Sequence, residues 1–267
     1  GAQRLLPAVQ QAYGAYTNII GSKASFEDVL VLLDQELPSY IDQPLPLPMA
    51  FSKNIELKNL GFNYITSTDW ILKNINLRFK KGSRIGFIGT TGVGKSTLLD
   101  VIMGLLDPTE GSVVVDGQHI NDENKRSWQM HIAHVPQNVF LSDGSIEENI
   151  AFGVPKEKID HELIKRVAEQ AKISDLVSKQ SHGQKNIIGE RGIKISGGQR
   201  QRVGIARALY KQADILVFDE ATSALDDSTE RDIMNEIKEL GVDLTIFIIA
   251  HRLTTLKICD QIIKLEA

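Results

Sequence analysis

The chain is short of cysteine, of long apolar runs and of net charge, and each shortage removes a class of protein. Cys259 stands alone, so no internal disulfide framework is possible and a reducing compartment is compatible. It reads as a small buried residue near the last strand. No apolar run approaches the ~18 to 20 residues that a bilayer-crossing helix needs, and the first residues lack the layout of a signal peptide. The chain by itself is therefore expected to be soluble. A net charge of −4 gives no global basic footprint for nucleic acid. No internal repeat is visible, and the only biased tract is a proline-dense stretch holding Pro38, Pro44, Pro46 and Pro48. Such density favours an extended connector.

What remains is ordinary globular material. With 267 residues, 42% of them hydrophobic and 24% charged, the chain exceeds one average domain and can bury a substantial core. Before the connector, Leu5, Val9, Tyr13, Tyr16 and Ile20 recur at helical spacing. After "GSKAS" a second helix is expected, with Ser25 as its cap, Asp28 at the third position, and Phe26, Val29, Leu30 and Leu33 on one face. These helices cannot bury their stripes alone, so residues 1–48 are expected to dock on something else. A boundary falls near residue 49.

Beyond it the grain changes. "NIELKNLGFNY" and "NINLRF" alternate as half-buried strands, "SRIGFIG" is a short apolar run, and "GSVVVDG" is a strand closed by a turn. Helical period dominates from Ser145 to Tyr210, so a helical subdomain is expected at about residues 142–210. "ADILVFDE" and "LTIFIIAHR" are intensely apolar strands separated by a helical stretch. Continuous apolar strands alternating with helices imply an α/β fold with a mainly parallel sheet, and the early alternating strands an antiparallel annex.

"GTTGVGKS", Gly89 to Ser96, fits G-x-x-x-x-G-K-[ST] at every fixed position, after a strand and before a helix. Gly89, Gly92 and Gly94 let the backbone curl until several N–H groups, from Thr91 through Val93 to Thr97, face one anion. The helix N-terminus adds its positive dipole end. Lys95 supplies a charge to the outer phosphates and Ser96 a hydroxyl to Mg²⁺. Asp219 and Glu220 end the strand "ILVFDE". The first can hold the metal shell, and the second is then spare to orient or deprotonate a water. His251 closes the next strand, where ligands gather in open α/β sheets. The loop binds a nucleoside triphosphate.

A second glycine pair, "ISGGQ" at Ile195 to Gln199, opens a helix whose free N–H groups also await an anion. It has no lysine at the phosphate-loop spacing, so it makes sense as half of a site.

Taken in order, GTTGVGKS, VPQ at Val135 to Gln137, ISGGQ, ILVFDE, SALD at Ser223 to Asp226, and His251 resemble the ATP-binding-cassette family, specifically the nucleotide-binding domain of an exporter-type transporter. The resemblance covers roughly residues 53–267. It departs from the usual pattern at Ile195, where leucine is common. It implies a phosphate-loop NTPase cassette with a RecA-like core, an antiparallel annex and a helical subdomain. It further implies that Tyr64 stacks on adenine, Gln137 reaches Mg²⁺, Glu220 is the catalytic base and His251 contacts the γ-phosphate. Ser196, Gly198 and Gln199 would bind the ATP held by a second copy of the domain. Asp226 would lie in a loop that crosses to that copy. "GERG" (Gly189 to Gly192) and "DGSIEENI" look like exporter sequence, and the first residues resemble the cytosolic end of a last membrane helix.

The expectation is an ATPase working as a head-to-tail homodimer with two ATP and Mg²⁺. It would be fused to a missing transmembrane domain at the cytoplasmic face of the cell membrane, with no nucleic-acid partner. The alternative is a non-transport cassette ATPase acting on nucleic acid or ribosomes; such chains usually carry coiled-coil or basic insertions, and none is visible. A regulatory module without turnover is a third class, opposed by Glu220. His131 and His134 have a spacing that could suggest a metal pair, but on a strand they face opposite sides. Trp70 and Trp128 read as packing residues, with Trp70 also a candidate border to the adenine. Arg200 and Arg202 are open between phosphate-holding and solvated or interhelical roles.

Overall fold

The computed structural model describes residues 2–35, 40–41, 43–64, 69–181, 195–220, 225–239, 243–249 and 256–266. The chain divides into two compact units, Gly1–Leu45 and Pro46–Ala267.

The first unit is built on one helix, α1 (Ala2–Leu33). The break expected at "GSKAS" does not occur, and Ser25 and Asp28 lie inside the helix rather than at a new start. Gly21 costs about 1 kcal/mol relative to alanine, which a long helix absorbs. Lys23 and Glu27, 3.6 Å apart at i,i+4, span the expected break. Leu5, Val9, Tyr13, Tyr16, Phe26 and Leu33 are all exposed. Among the described residues no helix is long and apolar enough to cross a membrane.

The second unit holds two sheets. The antiparallel sheet has the order β2-β1-β4-β5, from β1 (Asn54–Phe62), β2 (Leu72–Lys80), β4 (Glu110–Val115) and β5 (Gln118–His119). The second sheet, β6-β7-β8-β3-β9, is parallel throughout. Its strands are β3 (Arg84–Ile88), β6 (Ile132–Val135), β7 (Ile215–Asp219), β8 (Thr245–Ile249) and β9 (Gln261–Lys264). The mainly parallel core and antiparallel annex expected from the strand patterns are both present.

The pleat sorts the apolar strands onto two faces. Ile215, Val217, Phe247 and Ile249 meet Leu98, Leu99 and Ile102 of α2 (Lys95–Ile102) and the inner face of the antiparallel sheet. Leu216, Phe218, Ile246 and Ile248 face the helices instead. A strand buried on both sides has no polar face to show, which is why the apolar runs are continuous. Phe247 sits 5.2 Å from Phe79 and 6.1 Å from Phe87, ring centre to ring centre, with no exposure. Replacing it by alanine is expected to cost about 3–5 kcal/mol, read as a lowered denaturant midpoint at unchanged slope.

Among the described residues the unit also holds α3 (Lys125–Gln129) and five further α-helices. Between β6 and β7 lie α4 (Ile146–Ile150), α5 (His161–Gln170), α6 (Ser174–Ser181) and α7 (Gly197–Tyr210), and α8 (Asp227–Glu239) follows β7. Ser145 and Glu148 form a capping box on α4, and Asp160 caps α5. Asn149, fully buried, is satisfied by Ser142, Ser145 and Arg207. Trp128 is also fully buried and donates its indole N–H to the Ile102 carbonyl at 2.8 Å.

Cys259 lies just before β9 and is half-buried. Burial pushes its thiol up to about 11, with Asp260 adding to the shift and Arg84 opposing it. The thiolate is the reactive form, so alkylation by iodoacetamide at pH 8 is expected to run more slowly in the folded chain than in the unfolded one.

Candidate functional site

The five strands of the parallel sheet bring their C-terminal ends to one edge, and motif residues follow β3, β6 and β7 there. The phosphate loop follows β3, which lies between β8 and β9, and passes into α2. Gly89 and Gly94 are there for space as well as for torsion. Gly89 has φ +153, and a Cβ on it would meet the Leu265 carbonyl oxygen at 2.7 Å. Gly94, with φ +94, would press a Cβ to 2.9 Å from Ile71. Thr91, Gly92 and Val93 form the turn between them, with the Val93 N–H on the Thr90 carbonyl at 3.4 Å. Ser96 and Thr97 lie in the first turn of α2.

Lys95 is only 6% exposed, and its Nζ donates to the Gly89 and Thr90 carbonyls at 2.9 Å each. The ammonium is thus held inside the curl of its own loop. The Ser96 hydroxyl donates to Asp219 Oδ1 at 3.1 Å, joining α2 to the end of β7. Burial raises the Asp219 carboxyl above its ordinary range; the Ser96 bond and the charges of His134 and Lys95 pull it back, and Glu220 pushes it further. Asp100, one turn along α2 from Ser96, is raised by burial and by the Asp219 charge. His134, on β6 beside Asp219, is shifted toward its neutral form by loss of water, against the pull of that carboxylate.

Glu220 follows β7 with φ 50, the left-handed region that non-glycine residues seldom occupy. Its N–H donates to the Ile249 carbonyl at 3.2 Å. Gln137, in the loop after β6, donates Nε2 to Glu220 Oε2 at 2.9 Å. Lys95, Ser96, Asp219, Glu220 and Gln137 therefore form one connected group. His251, Ser223 and Gly189 to Gly192 lie outside the described residues.

Tyr64, just past β1, is 45% exposed and stands edge-on to Phe62 with ring centres 5.0 Å apart. The Trp70 ring lies against Gly61, where an added Cβ would approach it to 2.9 Å. Ser196 caps α7 in a reciprocal box: its Oγ accepts from the Gln199 N–H at 3.2 Å, and Gln199 Oε1 accepts from the Ser196 N–H at 2.9 Å. Ser196 and Gly197 are exposed and Gly198 partly so, which leaves a helix N-terminus turned to solvent. Arg202 donates to the Lys172 carbonyl at 2.9 Å, tying α7 to the turn between α5 and α6. Asp226 accepts from the Thr229 N–H at 2.9 Å and from Ser228 at the start of α8, bonds that hold its carboxyl well below the usual range.

His131 and His134 do not share a ligand. Both His131 ring nitrogens face oxygens, of Asp214 and of the Met49 carbonyl, at the opposite end of the sheet from Asp219. Asp100 was not singled out by its motif, though its i+4 spacing from Ser96 is a signal for that position.

A family model described as ABC transporter matches residues 72–223. The ATP-dependent lipid A-core flippase of Cupriavidus metallidurans is 39% identical over 233 residues, 85% of this chain and 39% of its own length. The heterocyst differentiation ATP-binding protein HepA of a Nostoc species is 34% identical over 98% of this chain and 43% of its own. A bacterial Atm1-family ABC exporter solved with ATP bound superposes with a TM-score of 0.77 at 33% identity, over 94% of this chain and 44% of that one. The chain thus spans less than half the length of each of these relatives. A phosphate loop after β3, a carboxylate pair at the end of β7, a serine-capped glycine pair opening α7 and these matches agree: the chain belongs to the ABC transporter family.

Proposed function

We propose that this chain is the ATP-hydrolysing motor of an exporter, acting as a head-to-tail pair in which each ATP is held by residues of both copies. The observation that carries it is the connected group Lys95, Ser96, Asp219, Glu220 and Gln137 at one edge of the parallel sheet. Lys95 and the N–H groups of the phosphate loop bind the outer phosphates, and Tyr64 offers its exposed ring to the base. Ser96 Oγ, Asp219 and Gln137 form an all-oxygen donor set once Gln137 turns its carbonyl inward, which suits a hard cation such as Mg²⁺. When bound, that ion neutralises charge on the phosphate oxygens. Glu220 takes the proton of the attacking water. His251 would contact the γ-phosphate.

Ser196, Gly198 and Gln199 of a second copy would close the site, since the serine-capped N-terminus of α7 is turned to solvent. A pair related by a two-fold axis makes each contact twice and holds two nucleotides. The exposed apolar stripe of α1 fits a helix continuing from a transmembrane domain of the same longer chain, at the cytoplasmic face of the membrane. The flippase and exporter names of the relatives support this over a cassette working on nucleic acid. The test is ATPase rate against protein concentration. A steeper than linear rise below saturation is expected, and a strictly linear one rejects the shared site.

A further inference from the structure

We propose that His131 is a proton-operated fastener for the main chain just past the proline-dense connector. Charged, its ring pins residues 49–51 to the base of the parallel sheet; on losing a proton it lets them go. His131 precedes β6 and is buried, with 8% of its surface exposed. Its Nδ1 lies 2.5 Å from Asp214 Oδ2, and its Nε2 lies 2.5 Å from the Met49 carbonyl oxygen. A neutral imidazole has one N–H, so one of these contacts would set a lone pair against a lone pair. The arrangement needs two protons between the ring and its two oxygens. The imidazolium supplies both, as charge-assisted bonds.

Asp214 gathers a second cation for the same segment. Lys81, which follows β2, lies 3.7 Å from Asp214 Oδ1, and its Nζ donates to the Phe51 carbonyl at 3.0 Å. One carboxylate thus holds two cations, and each cation reaches on to a carbonyl of residues 49–51. Lys211, at the end of α7, brings a further charge, donating to the Gln129 and Ile132 carbonyls on either side of His131. The aromatic rings of Phe51 and Trp128, both buried, stand with their centres 5.9 Å from the imidazole. Water therefore has little room to replace a lost bond. Of the side-chain types in this cluster, histidine is the one that ordinarily changes charge between pH 5 and 8. A contact that only the charged ring makes tightens as pH falls and loosens as pH rises.

The test is an NMR titration of the full chain labelled with ¹⁵N. At pH 5.5 both ring nitrogens of His131 are expected to carry protons. As the pH is raised the ring should lose one, and the backbone amides of Met49, Ala50 and Phe51 should shift with the same midpoint. The Met49 N–H donates to the Ser127 carbonyl at 3.4 Å. Its protection, corrected for base-catalysed exchange, should fall about 10–100-fold across that midpoint, the worth of one hydrogen bond to a charged group. His131→Gln, which keeps a donor for one oxygen and does not titrate, is expected to remove the pH dependence of those three amides. Three results in the unaltered chain would each overturn the fastener, whether or not the variant folds. They are a ring with a single proton at pH 5.5, a ring that keeps both protons up to pH 9, and a ring that titrates while the amides of residues 49–51 stay still.

Discussion

Glu220→Gln is expected to lower ATP turnover by about 10²–10⁴-fold, the usual worth of a positioned general base. The exchange keeps the shape of the side chain and its ability to pair with Gln137, and removes only the carboxylate that accepts the proton. Nucleotide affinity should hardly change, because Lys95, Ser96 and the loop N–H groups are untouched and none of their bonds involves Glu220. The variant should therefore accumulate the ATP-bound pair. Steady-state phosphate release and equilibrium nucleotide binding, measured side by side, separate the two effects. Unaltered turnover would remove Glu220 from the chemistry.

Ser196→Asp should be comparably damaging for a different reason. Aspartate caps a helix about as well as serine, so α7 and its box with Gln199 keep their start. What changes is charge. A carboxylate at the N-terminus of α7 would face the γ-phosphate of the other copy's ATP, and two like unit charges ~4 Å apart cost about 4 kcal/mol at an effective dielectric constant near 20. Since 1.4 kcal/mol is tenfold, a loss of roughly 10²–10³ in activity is expected. Nucleotide affinity of the dilute, single chain should stay as it was. A matching loss of single-chain affinity would mean that Ser196 serves its own chain's nucleotide.

The parts of the site written in contiguous residues were legible in the sequence, because their chemistry is local. A loop needing left-handed glycines, then lysine and serine at a helix start, has few other readings, and the positions of Gly89 and Gly94 against Leu265 and Ile71 show why. The continuous apolar strands announced a sheet covered on both sides, since neither face of β7 or β8 meets water. What stayed hidden depends on partners distant in sequence. Nothing local says that Gln137 lies on Glu220, that Asp100 lies near Asp219, or that His131 bridges Met49 and Asp214. The continuity of α1 through Gly21 was hidden for a related reason. A glycine and two serines weaken a helix by small amounts, and a long helix continues through them.

One measurement bears most directly on the claim that two chains complete each site. Sedimentation velocity of the Glu220→Gln chain, with and without magnesium–ATP, reads association while hydrolysis is blocked. A monomer that converts to a dimer on adding nucleotide, and fails to do so when Ser196→Asp is also present, is the predicted result. A chain that binds nucleotide yet sediments as a monomer at every concentration would contradict it.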